Sequence, residues 1–174
     1  MKQELNLLDG YTPTNDLLND AKQIIEVSQK AAYRAVNLAL VQRNWLLGYR
    51  IAQEELKGEG RSEYGTAVIR KLAKELTAAY GKGFDYSSLY KYFRFYNLYP
   101  EIVDSLSPQS GVLLSWTHYR VLLQVEDKIA RDWYTKEAAD QTWSVRTLQR
   151  NISSQYYYRL LKSQNQEPVK QEME

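Results

Sequence analysis

The chain has 174 residues, of which 44% are hydrophobic and 25% are charged, and its formal net charge is +2. This length can fill one good core or two small ones, and so small a net charge excludes a strongly basic protein. Because the sequence has no cysteine, disulfides, thiolate zinc sites and thiol nucleophiles are excluded. No stretch approaches the roughly twenty apolar residues of a membrane span, and residues 1–10 lack a signal-peptide core, so we expect a cytoplasmic protein without membrane contacts.

The sequence predicts an all-α fold in which a long N-terminal helix precedes helix-turn-helix-type units. Few stretches alternate as strands do, and the four prolines lie at positions 13, 100, 108 and 168, where they divide the chain. We expect a leader at 1–14, a long helical region at 15–60, a helix-turn-helix at 61–100, a loop at 101–112, a second helical unit at 113–162 and a disordered tail or linker at 163–174.

From Asp16 to about Leu56 the chain has no proline and only one glycine, Gly48, which predicts one long helix. At about 1.5 Å per residue, its apolar stripe is too long for a small domain to cover, so we expect a homodimer or a higher homo-oligomer. Alternatively, the segment breaks near Asn37 or Gly48 and folds back. The expected interface residues are Leu17, Ala21, Ile24, Ile25, Ala32 and Leu38.

Residues 71–98 predict a helix, a glycine-bearing turn at Gly81 and Gly83, and a second helix capped by Asp85. The apolar residues of the first helix recur at helical spacing: Leu72, Ala73, Leu76 and Ala79. Those of the second fall on one face: Leu89, Tyr92, Phe93 and Tyr96. Its opposite face carries Ser87, Lys91 and Arg94, with Tyr90 at the edge.

A hydroxyl, two cations and a phenol are suited to a helix in the major groove of DNA. Between residues 61 and 98, seven Lys or Arg stand against three acids, which is the local excess that phosphate binding needs. Solvation of the polar face is the alternative. Most of the fifteen tyrosines are expected to close the edges of the core, whereas Tyr86 and Tyr90 are assigned to the site.

The segment after residue 113 also predicts capped helices, and one of them carries cations on its polar face. Ser115 can cap a helix that Glu126 and Asp127 interrupt, and a further helix is expected from about Lys128 to Ala139. Ser144 can cap a third, whose Val145, Leu148 and Ile152 point inward while Arg146, Thr147 and Arg150 point outward. The two arginines form a phosphate clamp or read DNA bases, or else they are simply solvated.

Together these segments resemble the N-terminal domain of the bacterial YhcG-type family over roughly residues 20–162. The shared elements are the YG pair (Tyr64, Gly65), the GKGF turn (Gly81 to Phe84), the LSW triplet (Leu114 to Trp116) and the WSVR box (Trp143 to Arg146). The resemblance implies a DNA-binding helix-turn-helix module that precedes a nuclease domain of the PD-(D/E)xK type.

The same segments also resemble, more weakly, the helix-turn-helix half of ParB-like proteins. This resemblance implies that Tyr86 to Tyr96 is the recognition helix. The turn here is longer than in those proteins.

Catalytic patterns are missing from the sequence. The triplet Glu55-Leu56-Lys57 has the Glu-x-Lys pattern, but it ends a helical segment, whereas a metal-dependent nuclease site requires this pattern to follow a strand. The lone histidine, His118, is expected to make structural hydrogen bonds. We therefore expect no enzyme activity, cofactor or metal in this chain.

The sequence thus predicts a module that binds duplex or branched DNA and targets a nuclease-type protein. The alternative is a helical oligomerisation or partner-binding module with solvated basic faces. The expected DNA contacts are Lys82, Tyr86, Ser87, Tyr90, Lys91, Arg94, Arg146, Thr147 and Arg150.

Overall fold

The computed structural model describes residues 10–57, 62–102 and 114–163. In these ranges the chain forms helices and no strand, which confirms the predicted all-α class. The helices are α1 (Leu17–Leu56), α2 (Ser62–Tyr80), α3 (Tyr86–Leu98), α4 (Trp116–Leu122), α5 (Lys128–Asp140), α6 (Val145–Ser153) and α7 (Tyr156–Lys162). Most of the expected leader, middle loop and tail lies outside the described residues.

Helix α1 runs without a break for 40 residues. Asp16 caps it, because its carboxylate accepts the backbone N–H groups of Leu18 at 2.9 Å and Asn19 at 3.2 Å. The predicted long helix is confirmed, and the alternative of a break near Asn37 or Gly48 is wrong.

The two halves of α1 have different surroundings. Most of residues 17–36, here called the arm, is exposed. From Leu38 onward the helix packs against α2, α3 and α4. This part of α1 and the helices α2 to α7 form the body.

Leu38 was expected in an oligomer interface, but it packs on the core of the body. Among the expected interface residues, Leu17, Ala21, Ile24, Ile25 and Ala32 remain exposed.

The crossing of α1 and α3 explains the one glycine of α1. A Cβ atom placed on Gly48 would lie 2.0 Å from the carbonyl oxygen of Tyr92 and 3.0 Å from the Cβ of Tyr96. No side chain fits into such a gap, so glycine permits the two backbones to approach this closely.

The body has two hydrophobic clusters that meet at Trp116. The larger cluster is formed by the middle of α1, by α3 and by the four helices α4, α5, α6 and α7. Its fully buried side chains include Val41, Phe95, Leu122 and Leu148. The smaller one joins α1, α2 and the start of α3. Tight ring contacts tie α3 to α4, with Phe95 4.8 Å from Tyr119 and 5.3 Å from Trp116 between centroids.

The turn between α2 and α3 has the predicted glycines and the predicted helix cap. Gly81 and Gly83 have φ of 78° and 105°, where side chains are disfavoured. The Tyr92 hydroxyl donates to the Gly83 carbonyl at 2.9 Å and so fixes the turn to α3. Asp85 caps α3 by accepting the Ser88 N–H at 3.1 Å, and the hydrogen bond from the Ser88 hydroxyl lowers the pKa of this carboxyl.

Two sequence expectations about this hairpin need correction. Phe95 is fully buried at the centre of the inner face of α3, although only Leu89, Tyr92, Phe93 and Tyr96 were expected there. Ala79 was expected in the apolar row of α2, but it is exposed. It lies in the last turn of α2, beyond the part that α1 and α3 cover.

Helices α4 and α6 begin after their predicted caps, and α5 begins at Lys128, as predicted. Ser115 precedes α4, and Asp127 accepts the Ile129 N–H at 2.8 Å to cap α5. Ser144 caps α6 by accepting the Thr147 N–H at 3.1 Å. The buried Arg131 of α5 donates to the carbonyl of Val125 at 2.9 Å and so holds the loop that joins α4 to α5.

Candidate nucleic-acid interface

The exposed side of α3 and of the turn before it, here called the outer face, carries most of the predicted recognition residues. Lys82, Tyr86, Ser87 and Tyr90 are exposed, and Lys91 is half-buried. The rings of Tyr86 and Tyr90 lie nearly parallel, at an angle of 7° with centroids 6.2 Å apart. The outer face therefore combines lysines, a hydroxyl and an ordered pair of aromatic rings.

Helix α2 adds Arg70, a cation that was not among the predicted DNA contacts. The guanidinium carbon of Arg70 lies 5.9 Å from the ring centroid of Tyr86, which is within cation–π range. Arg70 is exposed, so it extends the positive charge of the outer face toward α2. This contact depends on how α2 and α3 cross, and spacing along the chain does not reveal it.

Arg94 has a different position from the other predicted recognition residues. It is half-buried, and its guanidinium donates to the carbonyl of Leu123 at 2.9 Å. Leu123 is the C-cap of α4, whose last carbonyl groups have no partner within the helix. Arg94 thus connects α3 to the end of α4, and this contact gives it a structural role in the body.

On α6 the predicted cations Arg146 and Arg150 are exposed, opposite the buried Leu148. Thr147 is half-buried, and its hydroxyl lies 2.9 Å from that of Ser144. The predicted division of α6 into an inner and an outer side is therefore present, with Thr147 engaged in the cap.

The two cationic surfaces belong to different parts of the body. Helix α3 packs mainly on α1 and α2, whereas α6 packs on α4 and α7. Helix α4 lies between the two groups, since it contacts α1 and α6 and its Trp116 meets α3. The body holds both surfaces on one connected set of packed helices.

Several residues of the GKGF, LSW and WSVR elements lie in the turn before α3, in helix caps and in the core, as Gly83, Ser144 and Leu114 show. Gly65 is buried where a Cβ would lie 2.5 Å from the Glu55 carboxylate. His118 contributes to the same scaffold: its Nε2 lies 2.9 Å from the Trp143 carbonyl, and its Nδ1 lies 2.7 Å from the Ser115 hydroxyl. Donation from Nε2 leaves Nδ1 as an acceptor, so His118 joins the start of α4 to the loop before α6.

The Glu55-Leu56-Lys57 triplet lies at the end of α1, where Lys57 pairs with Glu54 at 2.7 Å. In the described ranges, no three His, Asp or Glu side chains gather as a metal site would require. None of the helices seen in those ranges combines the length and apolar character of a membrane crossing.

Comparison with known proteins assigns this chain to a family. Residues 20–159 match the family described as the DUF1016 N-terminal domain, and this match covers all seven helices except the ends of α1 and α7. The chain belongs to this family.

A relative in Escherichia coli (strain K12), described as "Putative nuclease YhcG", is 28% identical over 196 aligned residues. The alignment covers 96% of this chain and 52% of the relative, so the chain spans about half the length of that protein. No solved structure matches.

Proposed function

We propose that this chain is a DNA-binding module that targets a nuclease-type protein, and that the outer face of α3 enters the major groove. The observation that carries the proposal is the composition of this face, where Lys82, Ser87 and Lys91 flank the Tyr86–Tyr90 pair. Lysines bind phosphates or guanine acceptors, and hydroxyls bind phosphates or base edges.

The contacts that hold α3 in the body support a role in DNA recognition. The inner face is fixed by the crossing at Gly48, the aromatic contacts of Phe95 and the hydrogen bond from Arg94 to Leu123. The turn is fixed separately by Tyr92. A helix held in this way can present its outer face without reorganisation, which lowers the entropic cost of binding.

The local charge also favours a polyanion. Besides Lys82 and Lys91, the hairpin exposes Arg70, Lys71 and Lys74 on α2. Salt bridges of the described residues join Lys57 to Glu54 on α1, and Lys128 to Asp132 and Lys136 to Asp140 on α5. The lysines of the hairpin take part in none of these ion pairs, so their charge remains available for phosphate.

On this proposal α6 is a second contact. Arg146 and Arg150 lie one turn apart on its exposed side and would bind the sugar-phosphate backbone next to the groove that α3 occupies. Arg94 is assigned to the scaffold, and Arg70 takes its place on the outer face. The relationship to a protein described as a nuclease makes DNA the polyanion to test first.

The test is a mobility-shift assay with the full chain on duplex, forked and single-stranded DNA. Lys82→Ala combined with Lys91→Ala should weaken duplex binding at least tenfold and leave the thermal unfolding midpoint unchanged. The matched control is Lys128→Ala with Lys136→Ala, which also removes two positive charges, but from α5. Equal losses for both double variants would show only a net-charge effect and would contradict the assignment to α3.

A further inference from the structure

The arm of α1 exposes large apolar side chains that nothing in the described chain covers. Leu17 is 85% exposed, Leu18 is 64% exposed and Ile25 is 56% exposed. Residues 17–36 extend about 30 Å along the helix axis. An apolar surface of this length on a continuous helix indicates an interaction site.

The arm carries a heptad pattern. Its central row alternates spacings of four and three residues, as the buried seam of a coiled coil does. One neighbouring row is apolar and the other contains opposite charges. The seam is Leu17, Ala21, Ile24, Ser28, Ala31 and Ala35, the apolar row is Leu18, Ile25 and Ala32, and the charged row is Asp20, Val27 and Arg34.

The charged row decides which partner fits. Asp20 and Arg34 are about 21 Å apart along one helix, so they cannot pair within a chain. In an antiparallel pair of arms, equivalent rows meet, and Asp20 lies beside the partner's Arg34 at both ends of the contact. A parallel pair would place the charged row against the apolar row and form no ion pair. We infer that the arm binds a second copy of this chain in antiparallel orientation.

The ion pairs also fix the register. They place Leu17 opposite the partner's Ala35, Ala21 opposite the partner's Ala31, and Ile24 opposite the partner's Ser28. Leu17 and Ile24, the large residues of the seam, then each meet a small residue, so that no layer has to hold two large side chains. A shift by one heptad in either direction separates Asp20 from the partner's Arg34.

The chain segment before α1 leaves Asp20 able to pair. The carboxylate accepts the Thr14 hydroxyl at 2.6 Å, the Thr14 N–H lies 2.9 Å and 3.1 Å from its two oxygens, and the Tyr11 hydroxyl also bonds to it. All of these donors are neutral and Asp20 makes no salt bridge within the described ranges, so they orient the carboxylate and leave its negative charge without a cation. Arg34 makes no salt bridge within the described ranges.

One consequence rests on the proposed function. In this register the two Gly48 crossings, and with them the two α3 helices, lie about 66 Å apart along the arms. This separation is close to two turns of B-DNA, at about 34–36 Å per turn. The dimer would then present two recognition helices to the same side of one duplex, with contacts about twenty base pairs apart.

Disulfide cross-linking without DNA tests the arrangement, and the absence of native cysteine makes the readout clean. Ala21→Cys combined with Ala31→Cys should give a covalent dimer under mild oxidation, because these positions face each other across the antiparallel seam. Each single variant should remain largely monomeric on a non-reducing gel. Efficient cross-linking of Ala31→Cys alone would indicate a parallel pair, and no cross-linking of the double variant would overturn the proposal.

A charge exchange tests the register. In the double-cysteine background, Asp20→Arg and Arg34→Asp should each reduce the cross-linking yield severalfold, and the two combined should restore it. The combined variant still lacks the Thr14 contacts of Asp20, so restoration reports the pair between chains. Failure to restore the yield would contradict the register. Circular dichroism confirms that each variant is folded, and loss of DNA binding alone would leave these results unaffected.

Discussion

The inner and outer faces of α3 carry similar residue types but contact different surroundings. The inner face holds Tyr92 and Phe95 against α1 and α4, whereas the outer face exposes Tyr86 and Tyr90. The inner aromatics have partners from several helices, and the outer pair has its own stack and Arg70. Aromatic content alone therefore does not distinguish the core of α3 from its candidate binding surface, and the two faces should respond differently to the same substitution.

The largest expected difference is in stability. Phe95→Ala should lower the free energy of unfolding by about 3–5 kcal/mol, because it leaves a cavity between Trp116, Tyr99 and Tyr119. Tyr90→Ala, on the same helix but exposed, should change it by about 0.5 kcal/mol or less. Urea denaturation of both variants measures this difference. Similar losses would mean that the two faces are not distinct.

A smaller effect is expected at the crossing beneath the inner face. In a helix interior, glycine to alanine ordinarily stabilises by about 1 kcal/mol. Gly48→Ala should instead destabilise by about 1–3 kcal/mol, because the added methyl meets the Tyr92 carbonyl. The opposite change at exposed Ala39 of α1, Ala39→Gly, is the control and should cost about 1 kcal/mol. A stability gain for Gly48→Ala would contradict the close crossing.

The last expected effect is a loss of stability at alkaline pH. Burial raises the pKa of Tyr99 to about 12, and burial also raises the pKa of Tyr119. Because these groups ionise near pH 10 in the unfolded chain, their contribution is complete below pH 10 and is lost as the pH rises toward 12.

Urea unfolding at pH 8 and pH 11 measures this loss. Tyr99→Phe keeps the ring but removes one of the titrating groups, so it should show a smaller loss between the two pH values than the parent does. An equal loss in the two proteins would indicate that Tyr99 ionises normally in the folded state.

Much of the scaffold is predictable because local chemistry determines it. Asp16, Asp85 and Ser144 mark helix starts through their own hydrogen bonds, and the positive φ of Gly81 and Gly83 follows from a tight turn. The uninterrupted α1 follows from the absence of proline. All of these features depend on a few neighbouring residues.

The site was less predictable because it depends on contacts between distant segments. Arg94 has the spacing of an outer-face residue, yet the position of α4 brings the Leu123 carbonyl to its guanidinium. Arg70 joins the site only because α2 crosses near Tyr86. Phe95 is adjacent to Arg94 in sequence, and only the placement of α4 makes it the centre of the inner face.

The most direct test of DNA binding through the outer face is the salt dependence of duplex affinity. A plot of log K against log salt concentration should be linear, with a slope of about −0.9 for each phosphate contact. Lys82→Ala with Lys91→Ala should therefore reduce the magnitude of the slope by about 1.8, while Lys128→Ala with Lys136→Ala should leave it unchanged. A parent slope near zero, or an equal change in both double variants, would contradict the account.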